Sequence, residues 1–227
     1  MDVEILIWNR RLAIHNVRAG EIALSKTQLL IATSNEGKLR ELRAMLADLP
    51  FDLLSLTDFP DLHSVPETGS TFIENASIKA LGYAQQAKVL TLADDSGLQI
   101  DALNGEPGVL SARYLGEATS YDERNRTLLA MVKHAGGRSA RFVCAMAVAA
   151  ASGTLLHVLE ETCEGQLADS PRGSGGFGYD PIFIPEGYDQ TFGELPVEIK
   201  NRISHRARAA SAARKYLAFL TDAQTAR

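Results

Sequence analysis

Two cysteines in 227 residues, Cys144 and Cys163, are too few and too far apart for a disulfide framework or a cysteine-rich metal site. Cys144 falls inside an apolar run and reads as core. A reducing cytosol is the natural compartment, so a cytoplasmic protein is expected. No stretch reaches the run of about 18 apolar residues that a membrane span needs. The start of the chain also lacks the positive charge of a secretion signal. Asp2 and Glu4 come first, and Glu4-Ile5-Leu6-Ile7-Trp8 soon meets Arg10-Arg11. Excess positive charge is missing overall: 23 Lys and Arg against 28 Asp and Glu leave a net charge of -5. That balance argues against a dedicated nucleic-acid binder. Basic residues do gather between Lys200 and Lys215, which leaves room for a local anion site. A composition 45% hydrophobic and 22% charged is that of an ordinary soluble globular protein, with core enough for one large domain or two lobes.

Residues 1–27 have no clear hydrophobic period and read as an N-terminal extension of unknown role. Leu29-Leu30-Ile31-Ala32 is an apolar run of strand length. The polar segment Thr33-Ser34-Asn35-Glu36-Gly37-Lys38 follows, and Leu39, Leu42, Leu46 and Leu49 then recur at helical spacing. The spacing predicts a helix from near Lys38 that stops before Pro50. Backbone amides and Lys38 at its start suit phosphate, though a plain helix cap with a solvated lysine serves as well. A Walker A loop is excluded, because Ala32 stands where glycine and Leu39 where serine or threonine is needed.

Phe51 to Leu56 reads as a second strand. Thr71 and Glu74 form a capping box for a helix whose stripe is Phe72, Ala76, Ala80, Tyr83 and Ala87. Glu67, ahead of that cap, has no structural explanation. Lys79, near the stripe, either snorkels or reaches into a cleft. In Leu92-Ala93-Asp94-Asp95-Ser96-Gly97-Leu98, two adjacent carboxylates interrupt an apolar pattern, predicting a loop between two strands. An Asx-turn and a metal site explain that loop equally well.

Ser120 with Glu123 caps another helix. Arg141–Ala150 and Thr154–Thr162 read as an antiparallel hairpin about Ser152-Gly153. Helix-linked strands followed by a hairpin imply an α/β fold with a mixed sheet. Residues 173–181 hold four glycines in six positions beside Phe177 and Tyr179, which favours a ligand loop over a plain turn. The last helix is expected to carry Lys200, Arg202, His205, Arg206 and Arg208. Ser204 stands as N-cap, and Arg202, Arg208, Arg214 and Lys215 read as a solvated face.

Six blocks in order give the chain a resemblance that no single block would carry. They are Thr33 to Lys38, Glu67 to Ala76, Ala93 to Leu98, Pro107-Gly108 with Ser111 to Tyr114, Gly175 to Pro181, and Ile203 to Arg206. Together they resemble the inosine triphosphate pyrophosphatase family, the XTP/dITP diphosphatases, over residues 28 to about 220. Ser34 stands where many relatives have glycine and Leu110 where tyrosine is common. The resemblance implies an elongated mixed sheet flanked by helices, in two lobes with a central nucleotide cleft. It implies a domain over residues 28–222 with a short tail at 223–227. It also implies a Mg²⁺-dependent homodimeric enzyme that hydrolyses ITP, dITP and XTP to the monophosphate and pyrophosphate. Neither a nucleic-acid nor a membrane partner is expected.

By the same resemblance, Glu67 and Asp95 hold the metal and Asp95 is the catalytic residue. Thr33, Ser34, Asn35, Glu36, Gly37, Lys38, Lys79, Ser96 and Arg113 contact substrate. Phe177, Gly178, Tyr179, Asp180, Lys200, His205 and Arg206 hold the base, with Phe177 as the stacking ring. An aspartate beside Mg²⁺ is a poor base, so orienting a metal-activated water describes Asp95 better than proton acceptance. Asp94 reads as a further ligand or as support. A C6 keto oxygen accepts hydrogen bonds from Arg206 or a protonated His205, whereas adenine presents a donor there. A mismatch of that kind costs about 1–3 kcal/mol, which discriminates against ATP without explaining how GTP is refused. The rivals are a pyrophosphatase for another modified nucleotide and a nucleotide sensor without turnover. Removal of residues 1–26 is expected to leave turnover unchanged, as steady-state assays of the truncated chain would show.

Overall fold

The structure, a computed structural model, describes residues 27–225. The expectation of an N-terminal extension therefore concerns residues outside those described. Thr27–Ile31 form β1, and Asn35 caps α1 (Glu36–Leu46) by accepting a hydrogen bond from Lys38 N at 3.0 Å. The helix begins two residues earlier than its apolar spacing indicates, because the cap and not the stripe sets its start. Phe51–Ser55 form β2 and Phe72–Ala87 form α2, whose Thr71–Glu74 capping box is complete.

Leu90–Ile100 then run as one strand, β3. The loop expected at Asp94-Asp95 does not exist. Both carboxylates stand in mid-strand, paired across the ladder with Met146 and Ala145 of β4 (Ser139–Ala149). Their charge misled the reading, because ion pairs and not solvent accommodate them. Ser120 caps α3 (Tyr121–Ala135), and β4 turns back into β5 (Leu155–Leu167). A short edge strand, β6 (Phe183–Pro185), precedes α4 (Val197–Ile203) and α5 (His205–Thr225). Lys200 and Arg202 thus lie on α4 and not on the last helix. The break falls at Ser204, whose hydroxyl accepts from Ala207 N and opens the next helix.

The sheet has the order β2-β1-β3-β4-β5-β6. β1 is parallel to both neighbours, and every later pair is antiparallel. Side chains alternate between faces along each strand. One face packs Leu92, Cys144, Met146 and Val148 against α1 and α5. The other packs Ala93, Val143, Ala145 and Ala147 against α2. Farther along the long strands, Leu98, Ile100 and Phe142 build a third cluster with α3 and the segment around Phe183 and Phe192. These clusters give the two lobes and the mixed α/β architecture that the resemblance implies.

β1 pairs with β3 only as far as Ile31 opposite Leu92, with a last bond from Ala32 N to Leu92 O. β3 continues past that point with β4 as its remaining neighbour, and α1 and α2 leave on opposite faces. A crevice beyond the carboxyl ends of such strands is where α/β sheets place ligands. Leu92 is fully buried where β3, α1 and α5 meet. Leu92→Ala is expected to lower stability by about 2–5 kcal/mol, read from urea unfolding midpoints at an unchanged slope.

Candidate active site

A cleft of about 430 Å³ opens at that crevice, lined by residues of both lobes. Thr33, Ser34, Asn35 and Lys38 enter from the turn into α1, and Lys79 from α2. Asp95 and Ser96 come from β3, Glu67 and Arg113 from loops, and Lys200, His205 and Arg206 from the C-terminal helices. Phe177, Gly178, Tyr179 and Asp180 complete the wall. Glu36 and Gly37 are not among the lining residues. Glu36 is exposed, and Gly37 instead supports Phe177, whose ring would lie 2.6 Å from a Cβ added at Gly37.

Strand alternation separates the two aspartates. Asp94 points to the α1–α5 side, where it pairs with Lys38 Nζ at 3.2 Å and accepts from Arg206 Nε at 3.3 Å. Arg206 also donates to Glu41 at 2.6 Å and to Ser96 Oγ at 2.7 Å. Glu41 pairs in turn with Lys200 Nζ at 2.8 Å, and Lys200 pairs with Asp180. Three carboxylates and three cations thus form one chain of contacts. Glu41 escaped the sequence reading altogether. Its only signal is its place on α1, three residues after Lys38 and four after Gly37, on the inward side of the helix.

Burial alone would raise the Asp94 carboxyl, but Lys38, Arg206 and Lys79 outweigh it and hold the group far below the usual carboxylate range. Glu41 is likewise lowered, with Arg206 and Lys200 overcoming burial. Asp180 goes the other way, since its complete burial outweighs Lys200. Burial, followed by the charges of Arg206 and Lys200, pushes His205 well below its ordinary value. The imidazolium form of His205 is therefore disfavoured. A neutral imidazole, stacked on Phe142 at 4.5 Å, still offers one donor and one acceptor.

Asp95 points to the α2 side. Lys79 Nζ lies between it and Glu67, at 3.7 Å from Asp95 and 2.6 Å from Glu67, and Arg113 meets Glu67 at 3.3 Å. Lys79 thus reaches into the cleft. Burial pushes the Asp95 carboxyl up against the pull of Lys79 and Lys38, with Glu67 adding to the rise. Burial likewise acts to raise Glu67, but Lys79 and the other cations bring it down. Asp95 Oδ2 is buried without a partner. Among the described residues, no three His, Cys, Asp or Glu side chains gather for a metal. Two facing carboxylates, one with a free oxygen, suit a hard cation that takes its other oxygens from phosphate and water.

The glycine-rich segment has a structural reason of its own. Gly176 adopts φ +71°, and a Cβ there would meet the Asp180 carboxylate, which accepts a hydrogen bond from Phe177 N at 2.7 Å. That contact sets the Phe177 ring 4.7 Å from Lys200 Nζ, with the Arg206 guanidinium 5.5 Å away. Tyr179 does not present the flat face expected of it. Its ring packs edge-on against Tyr121 in the core, and its hydroxyl donates to Ser111 O at 2.7 Å. Arg214, expected in solvent, pairs with Asp48, and Arg208 donates to Thr162 O at 3.1 Å.

Fold and cleft together define an α/β protein with a charged ligand site at the carboxyl edge of a mixed sheet. The comparisons with known proteins narrow that class. Residues 29–216 match the family model of the Ham1 family. A dITP/XTP pyrophosphatase of Geobacter sulfurreducens is 47% identical over 193 residues, covering 84% of this chain and 96% of that protein. One of Geobacillus kaustophilus is 49% identical over 187 residues, covering 80% and 90%. The structure of a HAM1 protein from Coxiella burnetii superposes with a TM-score of 0.77 at 40% identity, covering 84% of this chain and 98% of that one. The Staphylococcus aureus Ham1 structure gives 0.75 at 37% identity over the same shares. The chain belongs to the Ham1 family.

Asp94 and Glu41 bind protons less readily folded than unfolded, where their ordinary values are 3.8 and 4.5. The stability they supply is complete above that range and is lost as pH falls through it toward the folded values. Asp95 and Asp180, raised by burial, work in the opposite sense and soften the trend. Asp94 has the large shift, so stability is expected to fall with acidification below about pH 4. Asp94→Asn is expected to flatten that acid limb, measured by urea unfolding across a pH series.

Proposed function

We propose that the protein hydrolyses non-standard purine nucleoside triphosphates, dITP, ITP and XTP among them, to the monophosphate and pyrophosphate. The observation that carries the reading is the convergence of Glu67, Asp95, Lys79 and Lys38 in one cleft, with Phe177, Lys200, His205 and Arg206 farther along it. One end suits a polyphosphate and the other a flat base with polar edges. The relatives' names, dITP/XTP pyrophosphatases, support the same substrate class.

Charge counting adds Mg²⁺ to the proposal. The ion pairs of the cleft match Lys38, Lys79, Arg113, Lys200 and Arg206 with Glu41, Glu67, Asp94, Asp95 and Asp180. Formal charge therefore cancels, and a strongly anionic triphosphate needs further positive charge. Glu67 and Asp95 are the residues to hold Mg²⁺, which when bound supplies charge neutralisation at phosphate and a more acidic water. The chain's own part is positioning. Lys38 and the amides at the start of α1 receive phosphate oxygens, and Lys79 orients both carboxylates. Asp95 directs the water by hydrogen bonding.

For the base, Phe177 supplies the stacking face. Arg206, fixed by three partners, and a neutral His205 offer N–H donors to a keto oxygen. Adenine's amino group would face those donors, a mismatch of about 1–3 kcal/mol. A homodimer in the cytosol is part of the proposal, supported by the family resemblance and by two cysteines that are free and buried. Among the described residues, no helix is long and apolar enough to cross a membrane.

The test is Mg²⁺-dependent turnover of ITP, XTP and dITP beside ATP and GTP, with the phosphorus products resolved. Pyrophosphate release with ITP well ahead of ATP is expected. Orthophosphate release would sink the bond assignment, and equal rates for ITP and ATP would sink the base argument. Asp95→Asn is expected to abolish turnover while leaving the circular dichroism spectrum unchanged.

A further inference from the structure

Asn75 takes no part in the roles assigned so far, yet it is completely buried beside them. It lies on α2 one turn before Lys79, so both side chains project from the same side of the helix toward β3. Its Oδ1 accepts a hydrogen bond from Gly69 N at 2.7 Å. Gly69 is two residues beyond Glu67 in the loop that crosses α2. The same loop is tied back to α2 upstream by the reciprocal bonds between His63 and Gln86, at 2.8 and 3.1 Å. Glu67 is therefore held between two anchors on one helix.

The other half of the amide is the informative part. Asn75 Nδ2 is buried without a completed hydrogen bond, and so is Asp95 Oδ2. Lys79, one turn along the same face of α2, brings its Nζ to 3.7 Å from Asp95, so the two orphaned groups face the same layer between α2 and β3. The amide cannot turn over to relieve this, because Nδ2 would then confront the Gly69 N–H, donor against donor. A fully buried amide with a free donor is costly unless its partner completes the bond. Asp95 Oδ2, the other orphaned atom on the strand beneath α2, is the acceptor that completes it.

We propose that Asn75 is a positioning residue for the pyrophosphatase reaction, one amide aligning both metal-holding carboxylates. Its oxygen fixes the Glu67 loop through Gly69, and its amino group orients Asp95. The inference rests on the functional reading above, and it says which side chain keeps Glu67 and Asp95 facing each other before substrate arrives.

The experiment compares the full-length wild type with Asn75→Ala and Asn75→Asp. Mn²⁺ binding is followed by electron paramagnetic resonance without nucleotide, alongside melting curves and steady-state kinetics on ITP. Asn75→Ala is expected to weaken Mn²⁺ binding and to lower kcat by about 10- to 100-fold each, with KM for ITP little changed. Asn75→Asp keeps an oxygen for Gly69 and loses the donor, so it should still lose kcat, with melting curves reporting the cost of the added buried carboxylate. Wild-type Mn²⁺ affinity in a folded Asn75→Ala overturns the proposal, as does wild-type kcat in Asn75→Asp. If Asn75→Ala does not fold, Asn75→Asp decides. A wild type that binds Mn²⁺ but does not turn over ITP refutes the functional reading alone, and the Mn²⁺ comparison still judges Asn75. A wild type that binds no Mn²⁺ refutes both.

Discussion

The buried chain of ion pairs from Lys38 through Asp94, Arg206, Glu41 and Lys200 to Asp180 is the constraint on which the rest of the site depends. Uncompensated charge is expensive to bury, and removing one member of such a chain strands its neighbours. These six residues come from α1, β3, α4, α5 and the glycine-rich segment. Each contact therefore fixes one element against another: Arg206 brings α5 to β3 and α1, and Lys200 brings α4 to α1 and the Phe177 loop. The polar network does for the two lobes what apolar packing does within each of them. Phe177 also rests on Gly37, a contact between the glycine-rich segment and the start of α1.

Much of the fold was legible because local rules and tertiary context agreed. The Thr71–Glu74 capping box, the Ser120 cap and the Ser152-Gly153 turn all lie where sequence chemistry puts them. The reading failed where buried charge broke the hydrophobic pattern. Asp94 and Asp95 looked like a loop because a strand pattern treats carboxylates as solvent-facing, and nothing local announces partners at Arg206 or Lys79. Glu41 was invisible for the same reason, its partners lying more than 150 positions away. Tyr179 erred in the opposite direction. Its position in a glycine-rich run suggested a ligand face, while the fold needed its ring in the core and its hydroxyl on Ser111.

The members of the candidate site were easier to name than their duties. Residue type and order brought Glu67, Asp95, Lys38, Lys79 and Arg206 to attention, and the cleft gathers all five. The division of labour needed three dimensions. Arg206 is committed to Asp94, Glu41 and Ser96 before any ligand is considered, so its guanidinium has a set direction. Burial, with the charges of Arg206 and Lys200 behind it, lowers His205 well below its ordinary value. Sequence spacing carries no information about either.

The alternation of β3 has a practical meaning for anyone altering this protein. Even-numbered positions 92, 94 and 96 belong to the side of α1 and α5, and odd-numbered positions 93, 95 and 97 to the side of α2. Two adjacent aspartates are thus separately addressable, as if on different elements. Insertion or deletion of one residue between Leu90 and Asp94 would exchange the two sides, sending the Asp94 carboxylate toward Lys79 and Glu67 and the Asp95 carboxylate toward Arg206.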